Sequence, residues 1–266
     1  MNFFTLMSFS FAAVVFGYSV IGASDNPKSF VDVHAFVIVI AGTVACAAIS
    51  YQFDRVLLMI KVFFNRMVRG KKANYRETIL ELMKIADAYR NGADMKPVVG
   101  KIKDDFLREA ISILLDGVIE MPSLRRVLTN RMETIYMRYN SDAKMFQGMG
   151  KFPPAMGLMG AVLGMIALLG GLGKPGAEKT VGPAMSVALV ATFYGIAFAN
   201  LFVIPIGENL TDGAKELKIK NKIIVEGILL IAKKTNPVVL AEELNSFLLP
   251  KERVDRKTIQ AASKGR

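Results

Sequence analysis

Four long apolar stretches, separated by polar segments, dominate the pattern of this chain. They cover residues 3–23, 33–53, 153–173 and 184–206, and none of them contains Asp, Glu, Lys or Arg. About 20 residues of α-helix, rising about 1.5 Å each, cross a hydrocarbon core about 30 Å thick. The pattern therefore predicts four transmembrane helices.

The polar segments show helical spacing of apolar residues and no strand-like alternation. Asn74 is a candidate helix N-cap with Glu77 three residues later, and an apolar face follows at Ile79, Leu82, Met83 and Ala86. Helices are also predicted over 104–117, from Pro122 or Ser123 towards the third apolar stretch, from the fourth stretch to Asn236, and over 237–249. Residues 251–266 are polar and basic, and are predicted to be loose.

Charge indicates the orientation of the chain. Of the 34 Lys and Arg residues, 19 lie in 54–152 and 12 in 207–266. Basic segments stay on the cytoplasmic side of a bacterial membrane, so both segments and both termini are predicted to be cytoplasmic. The outer connections are then 24–32 and 174–183.

These observations define the predicted fold class. It is all-α: a polytopic membrane protein with four transmembrane helices and a cytoplasmic helical domain. The predicted segments are transmembrane helices 1–2 (1–53), the cytoplasmic helical domain (54–152), transmembrane helices 3–4 (153–206) and a cytoplasmic C-terminal helical tail (207–266).

Composition argues against several function classes. The chain has one Cys and one His, and it has neither a phosphate-binding loop of the G-x-x-x-x-G-K type nor a G-x-S-x-G nucleophile motif. We therefore expect no enzyme activity, no metal site and no cofactor. The net charge of +11 follows the positive-inside pattern and attraction to anionic lipid. Basic residues alternate with acidic ones without a stacking pattern of aromatics, so no nucleic-acid binding is expected.

The apolar stretches themselves limit what the chain can do alone. Ion-moving proteins usually carry an ionisable group at membrane depth, and these stretches have none, so either no ion moves or a partner supplies the carboxylate. Gly157, Gly160 and Gly164 lie near one helix face and permit close helix packing. We predict that this face packs around a partner helix, with packing within the chain as the alternative.

Several motifs together resemble the MotA/PomA family of flagellar stator subunits, over nearly the whole chain. They are "SFVDVHAFVIVIAGTVACAAIS", "PPAMGLMGAVLGMIALL", "ATFYGIAFANLFVIPIGENL" and "NPVVLAEELNSFLLP". The resemblance implies an ion-conducting inner-membrane stator subunit, a homopentamer around a MotB-type dimer whose aspartate carries the ion. The MotB-type partner is expected to bind peptidoglycan, and the cytoplasmic domain to push on the rotor protein FliG.

The resemblance also assigns roles to residues in the apolar stretches. Pro154 and Pro205 match prolines linked to conformational change, and Thr192 matches a pore-facing threonine. Ala161 stands where sodium-driven members have threonine and proton-driven members alanine. Because sodium wants oxygen ligands and a proton needs only the partner's carboxylate, proton coupling is predicted.

The resemblance places the rotor interface in the middle segment. Arg90 matches the arginine of the family's torque helix. Where many members have a Glu-Glu-x-Glu cluster, this chain reads Val98-Val99-Gly100-Lys101. Lys101 and Glu109 are therefore the further candidates for rotor contact. Two nearby aspartates are expected to cap a helix or to face solvent: Asp104 and Asp105.

Two other hypotheses remain open on the sequence. One is a non-flagellar motor subunit of the MotA/TolQ/ExbB type that energises another process. The other is a passive membrane scaffold, which predicts that Thr192→Ala and Pro154→Ala leave function intact.

Overall fold

The computed structural model describes most of the chain, namely residues 3–22, 27–58, 61, 73–173, 175–176 and 178–264. The predicted outer connections 24–32 and 174–183 and the start of the 54–152 segment lie partly outside the described residues. Every predicted site residue lies within them.

All regular structure in the described part of the chain is helical, which confirms the all-α class. The helices in chain order are α1 (Phe3–Gly22), α2 (Val33–Ser50), α3 (Tyr75–Arg90), α4 (Lys96–Lys101), α5 (Asp105–Asp116), α6 (Met121–Met149), α7 (Phe152–Gly171), α8 (Glu178–Phe198), α9 (Ile204–Ala232), α10 (Pro237–Asn245) and α11 (Arg256–Lys264). A 3₁₀ turn (Pro27–Phe30) precedes α2, and a π-helical turn (Ala199–Val203) joins α8 to α9.

The helices fall into two compact units. The first contains residues 1–71 and 140–212, and the second contains 72–139 and 213–266. The tail thus belongs to the same unit as most of the middle segment, although the sequence separates them. Helices α6 and α9 each contribute residues to both units.

Long apolar helices make up most of the first unit. Three helical stretches are long and apolar enough to cross a membrane: Val33–Ser50, Met121–Gly171 and Glu178–Ala232. Ser10–Gly22 is a shorter apolar stretch. The protein is therefore a multi-pass membrane protein by helix length and composition, while the count of four spans stays a prediction.

Helices α2, α7 and α8 pack together in the first unit. One face of α2 is buried, with Ala35 and Val39 against Val190 and Ala191 of α8. Phe16 of α1 stacks on Phe193, with ring centroids 5.2 Å apart. At the contact between α2 and α8, the small side chains of Ala35 and Ala191 allow the two helices to approach closely.

The second unit has a conventional apolar core. Its largest fully buried side chains come from α3, α5, α6, α9 and α10: Ile79, Leu82, Ile85, Leu107, Ile111, Leu124, Leu128, Ile223, Ile224, Ile228, Ile231 and Leu240. The predicted apolar face of α3 is buried here, as expected. Burying a side chain of this size stabilises the fold by about 1.5–3 kcal/mol relative to leaving it exposed.

Helix ends follow the local signals in the sequence. The Asn74 side chain accepts a hydrogen bond from the Glu77 amide at 3.2 Å, and Gly92 ends the helix with φ +70°. Asp104 caps α5 by accepting from the Leu107 amide at 2.8 Å. Gly117 ends α5 in the left-handed conformation that glycine adopts without strain.

The prediction of a loose C-terminal segment is wrong. Helix α10 ends at Asn245 rather than at 249, and residues 256–264 form a further helix, α11. Asn245 is buried and bonds both backbone groups of Val254, at 2.9 and 3.1 Å. Ile259 is 1% exposed. The Asn245 side chain and the buried side chains of Val254 and Ile259 thus hold a segment whose composition is mostly polar.

Candidate ion-coupling site

Helices α7 and α8 pack so closely that three glycines of α7 have no room for a side chain. A β-carbon on Gly157 would lie 2.8 Å from the Ala191 carbonyl oxygen, and one on Gly160 2.5 Å from the Ala191 β-carbon. One on Gly164 would lie 2.7 Å from the Ala184 carbonyl oxygen. The prediction that these glycines pack around a partner helix is therefore corrected, because α8 of the same chain fills that face.

The α8 side of this contact was missed by sequence reasoning. Gly195 faces the start of α7, where a β-carbon would lie 2.5 Å from the Pro153 carbonyl oxygen. The spacing of Ala188, Ala191 and Gly195 puts small residues on one helix face, and this signal could have identified the contact.

Thr192 lies at this close contact and is half-buried. Its hydroxyl is 3.1 Å from the Ala188 carbonyl oxygen in its own helix and 3.4 Å from the Gly157 carbonyl oxygen of α7. In the α-helical ladder the Gly157 carbonyl also accepts from the amide of Ala161. The structure thus brings Thr192 to the helical turn that begins at Gly157 and ends at the half-buried Ala161.

The two predicted conformational prolines have different surroundings. Pro154 is in the first turn of α7, where a missing amide hydrogen costs no intrahelical bond. Pro205 is the second residue of α9 and follows the π turn directly, with the Ile204 amide bonded to the Ala199 carbonyl. Because a proline ring clashes with the carbonyl four residues earlier, a wider turn before Pro205 accommodates it.

The junction between α6 and α7 packs against the end of this π turn. A β-carbon on Gly150 would lie 2.9 Å from Cγ1 of Ile204. Met149 and Val203 share an apolar cluster with Ala47 and Val56. The junction between α6 and α7 therefore contacts the π turn between α8 and α9. Sequence reasoning singled out only the prolines that follow them, Pro154 and Pro205.

A tyrosine of α8 holds the turn that precedes α2. The Tyr194 hydroxyl donates to the Phe30 carbonyl at 2.6 Å and accepts from the Asp32 amide at 3.4 Å. The Asp32 carboxylate caps α2 by accepting from the Ala35 amide at 2.9 Å. Sequence reasoning assigned no role to Tyr194 or Asp32, since the pairing joins residues 162 positions apart.

The predicted rotor residues lie on three helices of the second unit. Arg90 ends α3 and Lys101 ends α4; both are exposed, and neither has an ion pair within the part of the chain that the structure describes. Glu109 in α5 is exposed and pairs with Arg131 of α6. Val98 and Val99 pack against the core, so the segment that replaces the acidic cluster is anchored there.

Asp104 and Asp105 have the expected structural roles. Asp104 is the N-cap of α5 and also pairs with Lys220. Asp105 is 94% exposed, with Arg108 at 3.3 Å. No cluster of three or more His, Cys, Asp or Glu side chains suited to a metal ion occurs among the residues described.

Comparison with known proteins finds relatives over most of the chain. Residues 99–222 match the MotA/TolQ/ExbB proton channel family. The chain is 27% identical over 219 residues to the chemotaxis protein PomA of Vibrio alginolyticus, covering 82% of this chain and 85% of that protein. These matches support the resemblance of this chain to the MotA family.

Two further MotA proteins are similar to this chain over most of their length. Motility protein A of Helicobacter pylori is 29% identical over 229 residues, which are 85% of this chain and 87% of that protein. The structure of C. jejuni MotAB aligns with a TM-score of 0.85 at 26% identity, covering 96% of this chain and 100% of that chain. The MotA-like fold therefore extends over nearly all of the chain, beyond residues 99–222.

Proposed function

We propose that this chain is an ion-conducting stator subunit of a bacterial flagellar motor that couples proton flow to torque on the rotor. The observation that carries the proposal is the nearly complete structural likeness to a MotAB protein, at a TM-score of 0.85. The glycine-packed α7–α8 pair, with Thr192 bridging to Gly157, supports it, because this is where the resemblance puts the ion pathway.

The partner follows from what the apolar helices lack. The four predicted spans contain no Asp, Glu, Lys or Arg, so the ion needs a carboxylate from another chain. We infer a MotB-type single-span partner that binds peptidoglycan, surrounded by five copies of this chain in the inner membrane. Four spans with cytoplasmic termini fit the distribution of Lys and Arg.

Purification together with a MotB-type single-span protein tests the assembly. Particles imaged along the membrane normal are expected to show a five-fold ring around two helices. A monomer or a two-fold particle would overturn the proposed architecture.

The ion is proposed to be a proton. Ala161 offers no side-chain oxygen at the turn that Thr192 reaches, whereas partly dehydrated sodium needs oxygen ligands. Swimming is therefore expected to persist when sodium is replaced by potassium at constant pH and to stop when the proton gradient is collapsed. Loss of swimming on sodium removal alone would contradict proton coupling.

Removal of the Thr192 hydroxyl distinguishes the proposed motor function from a passive scaffold. Thr192→Val keeps the shape but loses the bonds to Gly157 and Ala188, so we expect an assembled complex with reduced proton conductance and no swimming. Thr192→Ser keeps a hydroxyl and is expected to retain part of the proton conductance and part of the swimming. Full swimming in Thr192→Val would favour the scaffold.

The rotor contact is proposed at Arg90 and Lys101, because both are exposed and have no ion pair with described residues. Glu109 is the third candidate, although Arg131 already neutralises it. Charge reversal at Arg90 or Lys101 is expected to reduce torque while conductance persists. Lys257→Glu, at an exposed lysine of α11, which carries no rotor candidate, is the control and should leave torque unchanged.

A further inference from the structure

Helix α9 is held on two sides by ion pairs within the second unit. The Lys218 ammonium lies 2.9 Å from a Glu133 carboxylate oxygen and 4.3 Å from the centroid of the Tyr136 ring, both on α6. Two residues later, Lys220 pairs with Asp104, the N-cap of α5. Two lysines of one helical turn thus reach two different helices.

The geometry of an α-helix explains this divergence. Residues two apart on a helix are separated by about 200° of rotation, so Lys218 and Lys220 extend from nearly opposite sides of α9. Further along α9, Glu226 forms a two-bond pair with Arg125 of α6, at 2.8 and 2.9 Å. Three ion pairs therefore fix both the rotation of α9 about its axis and its register along the axis.

Packing alone does not explain these pairs. Ile223, Ile224 and Ile228 of α9 are fully buried and already attach the helix to the core. Apolar burial is non-directional, whereas ion pairs require one relative placement of their partners. The side chains of Lys220 and Asp104 are only 21% and 20% exposed, so the pair bears a desolvation cost.

Asp104 connects these ion pairs with the residues proposed to contact the rotor. Asp104 follows Lys101 by three residues and begins α5, which carries Glu109. At its other end, α9 begins with Ile204 and Pro205, directly after the π turn. One helix therefore joins the proposed conformational proline to the segment that carries the rotor candidates.

We propose that Lys218 and Lys220 are positioning residues that lock α9 to α5 and α6, so that a movement of α9 shifts the segment containing Lys101 and Glu109. The inference rests on the proposed stator function. It adds that α9 transmits the movement, and that Lys218 and Lys220 keep α9 in a fixed position relative to α5 and α6.

The test measures assembly, proton conductance and torque separately, in the complex with its single-span partner. Lys218→Met with Lys220→Met keeps an unbranched apolar side chain, shorter by one atom, and removes both charges. We expect normal assembly and conductance with a loss of torque on a tethered bead. Lys233→Met, an exposed lysine just beyond α9, is the control and should keep full torque.

Two results would overturn the inference: full torque in the double variant, or a torque loss that only follows lost assembly or conductance. A wild-type complex without conductance or torque would instead contradict the stator function. If the double variant does not fold, a charge swap decides. Lys218→Glu and Glu133→Lys should each lower torque, and the combination should restore it; a swap without recovery would also overturn the inference.

Discussion

A β-carbon on Gly157 would stand 2.8 Å from the carbonyl oxygen of Ala191, so the backbones of α7 and α8 are in direct contact. The next residue of α8, Thr192, places its hydroxyl 3.4 Å from the Gly157 carbonyl. Close approach and hydrogen bond therefore depend on each other, since any side chain at position 157 would push the hydroxyl away.

Gly157→Ala is expected to separate α7 from α8 and to destabilise the protein by about 1–3 kcal/mol, the usual cost of overpacking. Thermal unfolding of the detergent-purified complex measures the change, and swimming should be lost. Gly170→Ala in the same helix is the control, because no atom lies within 4 Å of the position that the new methyl group would take. Equal melting temperatures for the two variants would contradict the close contact.

The elements of the fold were largely predictable from the sequence. Charge-free stretches indicated four apolar helices close to those observed, and Asn74, Asp104 and Gly92 marked helix ends because caps depend on a few neighbouring residues. Such signals are local, and the sequence contains everything that they require.

What could not be predicted depends on contacts between distant residues. Gly157 could have faced a partner or its own chain, and only the position of Ala191 decides between them. Tyr194 bonds Phe30 across 164 positions, and Asn245 orders a polar tail through the backbone of Val254. The helical periodicity of apolar residues does not indicate which distant residues contact each other.

Pro205 leads to a second prediction, about the π turn. Pro205→Ala supplies an amide hydrogen and removes the ring, so a regular α-helix becomes accessible through residues 199–205. We expect higher stability, by less than the roughly 3 kcal/mol that an interior proline costs, together with loss of torque. Pro183→Ala is the control, because Pro183 lies inside α8 away from the π turn. Loss of torque in both variants would contradict a special role for Pro205.

Glu81 leads to a third prediction, about pH. Burial raises the pKa of its carboxyl above the ordinary value of 4.5, and Asp104 and Glu77 raise it further, while Lys220 and Lys84 oppose the shift. Because the folded state binds this proton more tightly than the unfolded state does, the ionised carboxylate destabilises the fold above its folded pKa. That penalty decreases as pH falls through the folded pKa towards 4.5.

Glu81→Gln should therefore stabilise the protein at pH 7, by on the order of a few tenths of a kcal/mol because the side chain is partly exposed. Chemical denaturation at a series of pH values checks this, and the advantage of the variant should shrink on acidification. Glu243→Gln, at an exposed position of α10, controls for the change in net charge. An advantage that grows on acidification would contradict the raised pKa.

Asn245 leads to the last prediction, about the C-terminal segment. Asn245→Ala removes both bonds to Val254 and leaves a buried amide and carbonyl without partners, each costing about 1–3 kcal/mol. Limited proteolysis of the full chain should then cleave between residues 251 and 264 faster than in the wild type. Ser246→Ala is the control, because its side chain is exposed and bonds only the nearby Glu243 carbonyl.

Arg76 also holds this segment, through the carbonyls of Lys251 and Glu252. The variant should therefore loosen α11 without unfolding α3, and resistance to cleavage equal to that of Ser246→Ala would show that Asn245 is not the anchor.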